Sequence, residues 1–566
     1  MHILGISAHY HDSAACLVKD GEVLYAAEEE RFSRIKHDNQ FPLNAIDFCL
    51  ETSGISGKDL DYIAYYEKPL LKFERILETF VGTYPRSFLP FLKAIPEWLG
   101  EKIKVENIIR KKLNYKGKIF FIPHHLSHAA ATFYPSPFKN AAILTVDGIG
   151  EYQTAGLWFG EDNKIRPLKS INFPDSLGLL YSTFTAFLGF KVNNDEYKMM
   201  GLAAYGKPKY VNKIYQIIDI KKDGSFKLNM DYFGFRESFR MWSDKFEKLF
   251  GEFKSAENNF TQRHKDIAAS IQDVTEEIYF KMLNHLYDLT KTPNLCAGGG
   301  VALNSLANGK IYENTPFKKI YILGPAGDGG ACVGAALFAY HQILNKKNRN
   351  QIKDLYLGPQ YSNEEIEEVL KEENLNYRKF SDEGKLIEKV AGLLDKGKIV
   401  GWFQGRMELG PRALGARSIL AKPSPRNMKD NVNTIKKRES FRPFAGSVLQ
   451  KKVYELLDVP GKNHFSPFMN FVFQVRDGKK SDISAIVHAD GTCRIQTINN
   501  DNDRYYRLIK KFFEITGIPC ILNTSFNVAG EPIVENPNQA IDDFLKTSID
   551  YMVIGDYLLK KINYRQ

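Results

Sequence analysis

The 566-residue chain has few cysteines, and none of its six is paired by spacing. Cys16, Cys49, Cys296, Cys332, Cys493 and Cys520 stand singly, without the C-x-x-C spacing of a zinc site and without the dense pattern of a disulfide framework. A reducing, cytoplasmic setting is expected. Long apolar runs are missing too. One uncharged, largely apolar stretch, Ser176 to Phe190, has 15 residues. It includes several polar side chains and falls short of the roughly 20 needed to cross a bilayer. The N-terminus lacks a basic segment ahead of an apolar one, so neither a targeting segment nor a membrane partner is expected. With 43% hydrophobic and 25% charged residues, disorder and low-complexity architecture are excluded. Neither a P-loop nor a G-x-G-x-x-G fingerprint occurs.

What is present begins with charge. Lys and Arg number 77 against 67 Asp and Glu, a net of +10. Most of it is local. Between Gly401 and Gln450 ten basic residues (Arg406, Arg412, Arg417, Lys422, Arg426, Lys429, Lys436, Lys437, Arg438, Arg442) face three acidic ones (Glu408, Asp430, Glu439), a balance of +7. Such clustering favours one site for a small anion over a nucleic-acid groove, whose charge would be spread along it.

The N-terminal stretch Ile3 to Val18, followed by Lys19 to Glu22 and Val23 to Ala27, predicts three strands, the last two joined by a tight Asp20-Gly21 turn. The pattern recurs at Ala141 to Val146, Tyr152 to Phe159 and beyond the Glu161-Asp162-Asn163 turn. A duplicated start with a polar turn after the first strand predicts an α/β, actin-like domain made of two RNase-H-like halves. Apolar residues at helical spacing (Ile267, Ile271, Val274, Ile278, Met282, Leu286) predict a long helix ending before Pro293. The polar, basic stretch Asn345 to Gln351 is the linker candidate. The expected division is residues 1–345, a linker at 346–354, and a smaller α+β domain at 355–566.

Four constellations carry chemistry. In Pro123-His124-His125-Leu126-Ser127-His128, a helix places His124 and His128 one turn apart on one face, with His125 about 100° away. Such a pair serves as core or cap as readily as it binds metal. Asp147 and Asp328, each in a glycine-containing turn, add carboxylates, and two His with two Asp suit Fe(II), Zn(II) or Mn(II) better than Mg or Ca. A second group is the strand-to-helix turn Gly298-Gly299-Gly300 through Asn304, together with Gly327; glycines allow backbone amides to approach phosphate or a nucleobase. Third, His11 beside Asp12 is displayed where a general base can meet a hydroxyl, near Arg31 to Asp38. Fourth, the basic cluster with Arg494 and Asn523 to Asn527 combines Arg forks and Lys point charges that suit phosphorylated small molecules.

Taken together and in order, His11-Asp12, Arg31 to Asp38, His124 to Ala130, Val146-Asp147-Gly148, Glu196 to Gly206, Gly298 to Asn304, Gly410 to Ser418, Arg438 to Phe444 and Asn523 to Asn527 resemble the O-carbamoyltransferases of nodulation factors, cephalosporins and aminoglycosides. The resemblance implies a metal-bearing actin-like domain fused to a YrdC-like α+β domain. The second would make carbamoyl-adenylate from carbamoyl phosphate and ATP, with Mg as co-substrate. The first would move the carbamoyl group to a hydroxyl of a sugar or natural-product acceptor. It implies His124, His128, Asp147 and Asp328 as ligands of Fe(II) or another divalent transition metal. His11 would be the base and Lys36 a contact to the transferring group. Gly298, Gly299, Gly300, Asn304 and Gly327 would cradle the adenylate. Arg412, Lys436 or Lys437, Arg438, Arg442, Arg494, Asn523 and Ser525 would bind carbamoyl phosphate and ATP. The alternatives weighed are an actin-like small-molecule kinase and a tRNA-modifying enzyme. The aromatic-rich segments Tyr65 to Leu99 and Tyr210 to Phe260 either shape an acceptor cleft or simply pack.

Overall fold

A computed structural model of the chain describes residues 1–255, 259–462, 464–499 and 503–561. It divides into two compact units. The first comprises Met1–Glu29 and His37–Ile352; the second comprises Glu30–Lys36 and the chain from Lys353 onward. The chain thus leaves unit 1 after Glu29, gives seven residues to unit 2, and returns at His37.

Unit 1 contains two five-stranded sheets of the same design. Strands β1 (His2–Ser7), β2 (Ala14–Lys19), β3 (Glu22–Glu28), β4 (Tyr62–Tyr65) and β5 (Lys118–Phe121) are ordered β3-β2-β1-β4-β5. The second set is β6 (Asn140–Val146), β7 (Gln153–Glu161) and β8 (Lys164–Asn172), followed after the small hairpin β9 (Ile218–Ile220) and β10 (Phe226–Leu228) by β11 (Asn294–Gly298) and β12 (Lys319–Tyr321). Its order is β12-β11-β6-β7-β8. In each sheet the first three strands are antiparallel neighbours, and the last two run parallel to the first. The duplicated strand pattern is therefore a duplicated topology, and unit 1 is an α/β domain of two RNase-H-like halves, the actin-like arrangement.

Local chemistry explains the elements. Asp20 and Gly21 both take positive φ in the β2–β3 hairpin, as a two-residue turn with right-handed twist requires. The long helix runs Gln262–Thr290, starting five residues before the first of its periodic apolar residues, Ile267. Thr261 and His264 form a capping box at its start. After β5 and after β12 come the helices His124–Phe133, with three alanines, and Asp328–Phe338, rich in Ala and Gly. They cross closely: a Cβ on Gly334 would lie 1.8 Å from the Ser127 carbonyl oxygen, so only glycine fits. In the Tyr210 to Phe260 segment, of which 256–258 lie outside the described residues, Trp242, Phe246 and Phe250 pack edge-on against Phe184 and Phe187. These aromatics build core.

Unit 2 is α+β. Its strands are β13 (Tyr377–Lys379), β14 (Val400–Phe403), β15 (Arg417–Ala421), β16 (Ala445–Leu449), β17 (Phe471–Gln474), β18 (Thr492–Ile498), β19 (Cys520–Ser525), β20 (Tyr551–Ile554) and β21 (Tyr557–Lys560). They form one mixed sheet in the order β13-β21-β20-β14-β15-β19-β16-β18-β17. The helices Glu383–Asp395 and Arg504–Thr516 bury Leu386, Val390, Leu394, Leu508, Ile509 and Phe512 with Val400, Trp402 and Ile521 of the sheet. Register brings Ser418 opposite Ser525, and Ala445 opposite both Asn523 and Arg494. The four central strands thereby gather polar and basic residues at one end.

Candidate functional site

The repeated topology of unit 1 puts equivalent features together: two helix N-termini, after β5 and β12, and two polar turns, after β1 and β6. The first helix begins at His124, so His124 and His128 lie in its first turns. Buried Glu151 holds that start, accepting the His124 N–H at 3.0 Å and the Lys68 N–H at 2.8 Å. The second helix begins at Asp328. Asp147 lies in the turn after β6, its Oδ1 accepting the Gly148 N–H at 2.7 Å.

These four side chains converge, each offering a ligand atom within 4.8 Å of the others. The two Nε2 atoms are 3.1 Å apart; Asp147 Oδ2 lies 3.3 Å from that of His124 and 2.8 Å from that of His128. Asp328 Oδ1 stands 3.3 Å from His128 Nε2 and 3.7 Å from His124 Nε2, ion-pair distances without hydrogen-bond direction. Both oxygens of Asp328, 1% exposed, lack a hydrogen-bond partner among the described residues. A buried carboxylate left in that state beside two imidazole nitrogens fits a divalent cation. Burial works against the charged forms of His128, Asp147 and Asp328. It is outweighed by the neighbours, which hold His128 up at about 9 and both carboxylates below their ordinary range. His125 points away, its Nδ1 3.0 Å from Thr145 Oγ1, and burial followed by its two histidine neighbours pushes it down to about 3.

His11 borders this cluster. Its Nδ1 is 2.9 Å from Asp12 Oδ2 and its Nε2 3.8 Å from Asp328 Oδ2. Burial would lower its pKa, but Asp328 and then Asp12 hold it up at about 10. The other Asp12 oxygen meets His37 Nδ1 at 2.6 Å, and His37 Nε2 meets Asn194 at 2.7 Å.

The glycine turns are partly packing devices. Gly299, at φ +85°, lies against Val146, where a Cβ would come within 2.3 Å of a carbonyl oxygen, and Gly298 abuts His128. Gly300 and Gly327 face each other, so the two loops do meet. The Asn304 side chain is already committed: it caps the Ser305–Asn314 helix and pairs reciprocally with Gln272 at 3.0 and 3.1 Å.

In unit 2 the basic cluster separates into structural and gathered cations. Arg417 is fully buried and donates to the carbonyls of Gln404, Gly405 and Pro359; Arg406 donates to that of Leu357, and Lys422 pairs with Asp395. These three hold the fold. Lys436, 3% exposed, reaches Ser525 Oγ at 3.3 Å and the Asn527 side-chain oxygen at 2.8 Å, whereas Lys437 takes a left-handed φ of 50° and is exposed. Burial depresses Lys436 well below the ordinary ammonium range, and Arg438, Arg442 and Lys36 add repulsion. Arg412 is depressed by burial and by Arg494, and burial and Arg442 hold Arg494 down at about 10. Arg412 donates to Asn470 at 2.8 Å and to the Met469 carbonyl; Arg438 donates to Asn433 at 2.6 Å. Asn523 turns inward, its amide donating to Ser447 and to the Ala413 carbonyl. Lys36, which the resemblance associates with the same chemistry as His11, lies in unit 2 with these cations, while His11 lies in unit 1.

Comparison with known proteins decides the family. The model of the carbamoyltransferase N-terminus matches residues 2–337 and that of the carbamoyltransferase C-terminus residues 391–561. The chain belongs to the carbamoyltransferase family. An uncharacterised Synechocystis protein is 47% identical, covering 99% of this chain and 97% of its own. Nodulation protein NolNO of Sinorhizobium fredii is 37% identical, covering 97% of this chain and 79% of its own. Among solved structures, HypF of T. kodakarensis is 14% identical, covers 61% of this chain and 48% of its own, and has a TM-score of 0.34.

This carbamoyltransferase contains, among its described residues, no helix long and apolar enough to cross a membrane. Several residues of its two clusters escaped sequence reasoning. Glu151 is one turn-length past Asp147 but carries no motif; Asn470 lies 58 positions from Arg412, and Asn433, five positions before Arg438, stands in no motif. Asp543 is another. It is buried on the Pro537–Lys546 helix, and burial followed by Glu531 pushes its carboxyl up to about 6 against the pull of Arg34 and Lys436. A folded pKa above the unfolded 3.8 means that the folded state keeps the proton longer, so this group costs stability above pH 6 and progressively less toward pH 4. Asp543→Asn is expected to raise the melting temperature at pH 8 by about 2–4 °C, a gain that shrinks toward pH 5. A lower melting temperature at pH 8 would refute it.

Proposed function

We propose that this carbamoyltransferase works in two steps at two sites, with residues 1–345 as the transfer domain and 355–566 as the adenylate-forming domain. In the second, carbamoyl phosphate, ATP with Mg and one water give carbamoyl-adenylate, phosphate and pyrophosphate. In the first, the carbamoyl group passes to a hydroxyl of a sugar or natural-product acceptor and AMP leaves. The six free thiols, all buried, suit the cytoplasm. The observation that carries the reading is the four-residue cluster of His124, His128, Asp147 and Asp328 in the unit matched by the family's N-terminal half.

His124, His128, Asp147 and Asp328 would hold a divalent transition metal, Fe(II) first among candidates. A cation bound there supplies Lewis-acid polarisation of the carbamoyl carbonyl and a hold on the adenylate phosphate. His11 Nε2 accepts the proton of the acceptor hydroxyl. Asp12 holds the Nδ1 side of the ring, leaving Nε2 toward the cluster. Engaging the charge of Asp328 with a cation would remove the largest of the carboxylate influences that hold His11 protonated and so favour the neutral base. Gly300 and Gly327 line the adenylate, with Gly298, Gly299 and Asn304 shaping the turn behind them.

In the adenylate-forming domain Lys436, Arg412, Arg438, Arg442 and Arg494 bind the phosphates, and Ser525 and Asn523 orient the cations; Lys36 contacts the group being transferred. Cations crowded against their own repulsion gain most from an anion, which relieves it. The test is incubation with ATP, with and without carbamoyl phosphate, following pyrophosphate, phosphate and carbamoyl-adenylate by mass spectrometry. Pyrophosphate release that depends on carbamoyl phosphate is expected. No adenylate from anaerobically Fe(II)-loaded protein would overturn the reading.

A further inference from the structure

Seven residues from the N-terminal part of the chain, Glu30–Lys36, are part of unit 2. Their two arginines are anchored there by main-chain carbonyls. Arg31, 1% exposed, donates through Nη2 to the Gly410 carbonyl at 2.6 Å, while Nη1 pairs with Glu30 at 3.2 Å. Arg34 donates to the carbonyls of Ile533 at 2.8 Å and Pro532 at 3.0 Å.

Gly410 opens the turn that carries Arg412. That turn is tied down elsewhere as well. Buried Glu408 accepts the N–H groups of Leu414, Ala416 and Arg417 at 2.6, 3.1 and 3.2 Å, and Asn523 donates to the Ala413 carbonyl at 3.2 Å. Those ties lie on the C-terminal side of Arg412, and the Arg31 bond lies on its N-terminal side. The turn needs such support, because it holds a half-buried guanidinium next to another cation, Arg494, whose charge repels it. A loop that carries an unfavourable group keeps its shape only when its surroundings over-determine it.

We propose that Arg31 is a positioning residue of the unit 2 site: by clamping the Gly410 carbonyl it sets the bearing of Arg412, so the anion site is complete only with the Glu30–Lys36 segment in place. The inference rests on the reading of Arg412 as a phosphate ligand. Carbamoyl-phosphate-dependent pyrophosphate release is measured on the full-length protein for wild type, Arg31→Met, Arg31→Lys, Arg412→Ala and the Arg31→Met/Arg412→Ala double variant. Arg31→Met is expected to raise the KM for carbamoyl phosphate on the order of tenfold in the native background and less than about twofold in the Arg412→Ala background. Arg31→Lys keeps one donor and restores most of the loss. Equal losses from Arg31→Met in both backgrounds would overturn the coupling and leave the site reading standing. An unchanged KM in Arg412→Ala would overturn the site reading itself. Failure of both Arg31→Met and Arg31→Lys to fold would make Arg31 a fold element only and overturn the proposal.

Discussion

Asp328→Asn and His128→Ala are each expected to strip the bound divalent metal and to slow carbamoyl transfer roughly 10²–10³-fold while carbamoyl-phosphate-dependent pyrophosphate release continues. The reason lies in the donor set. Asp328 presents two buried oxygens with no hydrogen-bond partner among the described residues, and His128 Nε2 faces both carboxylates at 2.8 and 3.3 Å. Asn keeps the size of the carboxylate but removes the charge, so a loss in Asp328→Asn reports electrostatics rather than packing. Metal content by emission spectroscopy and AMP release from supplied carbamoyl-adenylate give the readouts. Dialysis of wild type against a chelator, followed by return to excess Mg, is expected to reproduce the pattern. Retained metal and retained transfer in Asp328→Asn would remove the cluster from the mechanism; a parallel loss of pyrophosphate release would remove the division into two sites.

Lys436→Ala is expected to lower adenylate formation by about 100-fold or more, and Lys437→Ala to leave it within about twofold. The two lysines are adjacent in sequence but opposite in setting. Lys436 follows the Asn427–Ile435 helix directly and its ammonium lies among the Ser525 and Asn527 oxygens; Lys437 turns to solvent through a left-handed residue. The Lys436 ammonium sits well below its ordinary range through burial, with Arg438 and Arg442 adding to it. Folded protein therefore releases this proton before unfolded protein does. The group's penalty is largest at neutral pH and fades as pH rises toward the unfolded value near 10.5. Lys436→Met accordingly keeps or gains melting temperature at pH 7 while losing activity, and added carbamoyl phosphate stabilises wild type but not the variant. Equal activity losses in the two lysine variants would overturn the assignment.

The repeated strand–turn–strand pattern and the one-turn spacing of His124 and His128 are readable in the sequence, because strand alternation, hairpin residues and helical periodicity act over a few residues. The order of the motifs carried the family. The same locality limits what a single residue reveals. Asn304 stands in a glycine turn, and its amide is paired with Gln272, a residue 32 positions away. Arg417 stands in the basic stretch, and it donates to carbonyls up to 118 positions away. The sequence cannot distinguish a cation that holds loops from one that awaits phosphate.

Composition and periodicity by themselves determined the α/β and α+β classes, the duplicated halves and the concentration of positive charge in one fifty-residue stretch. Only the tertiary structure decided which of those charges meet. Sheet pairing and the close crossing of two helices of small residues bring Asp147 and Asp328 to the histidines. Glu30–Lys36, though early in the chain, joins the second unit, where Arg31 bonds a carbonyl 379 positions away. Such contacts are set by the packing of whole layers, and no short-range pattern encodes them.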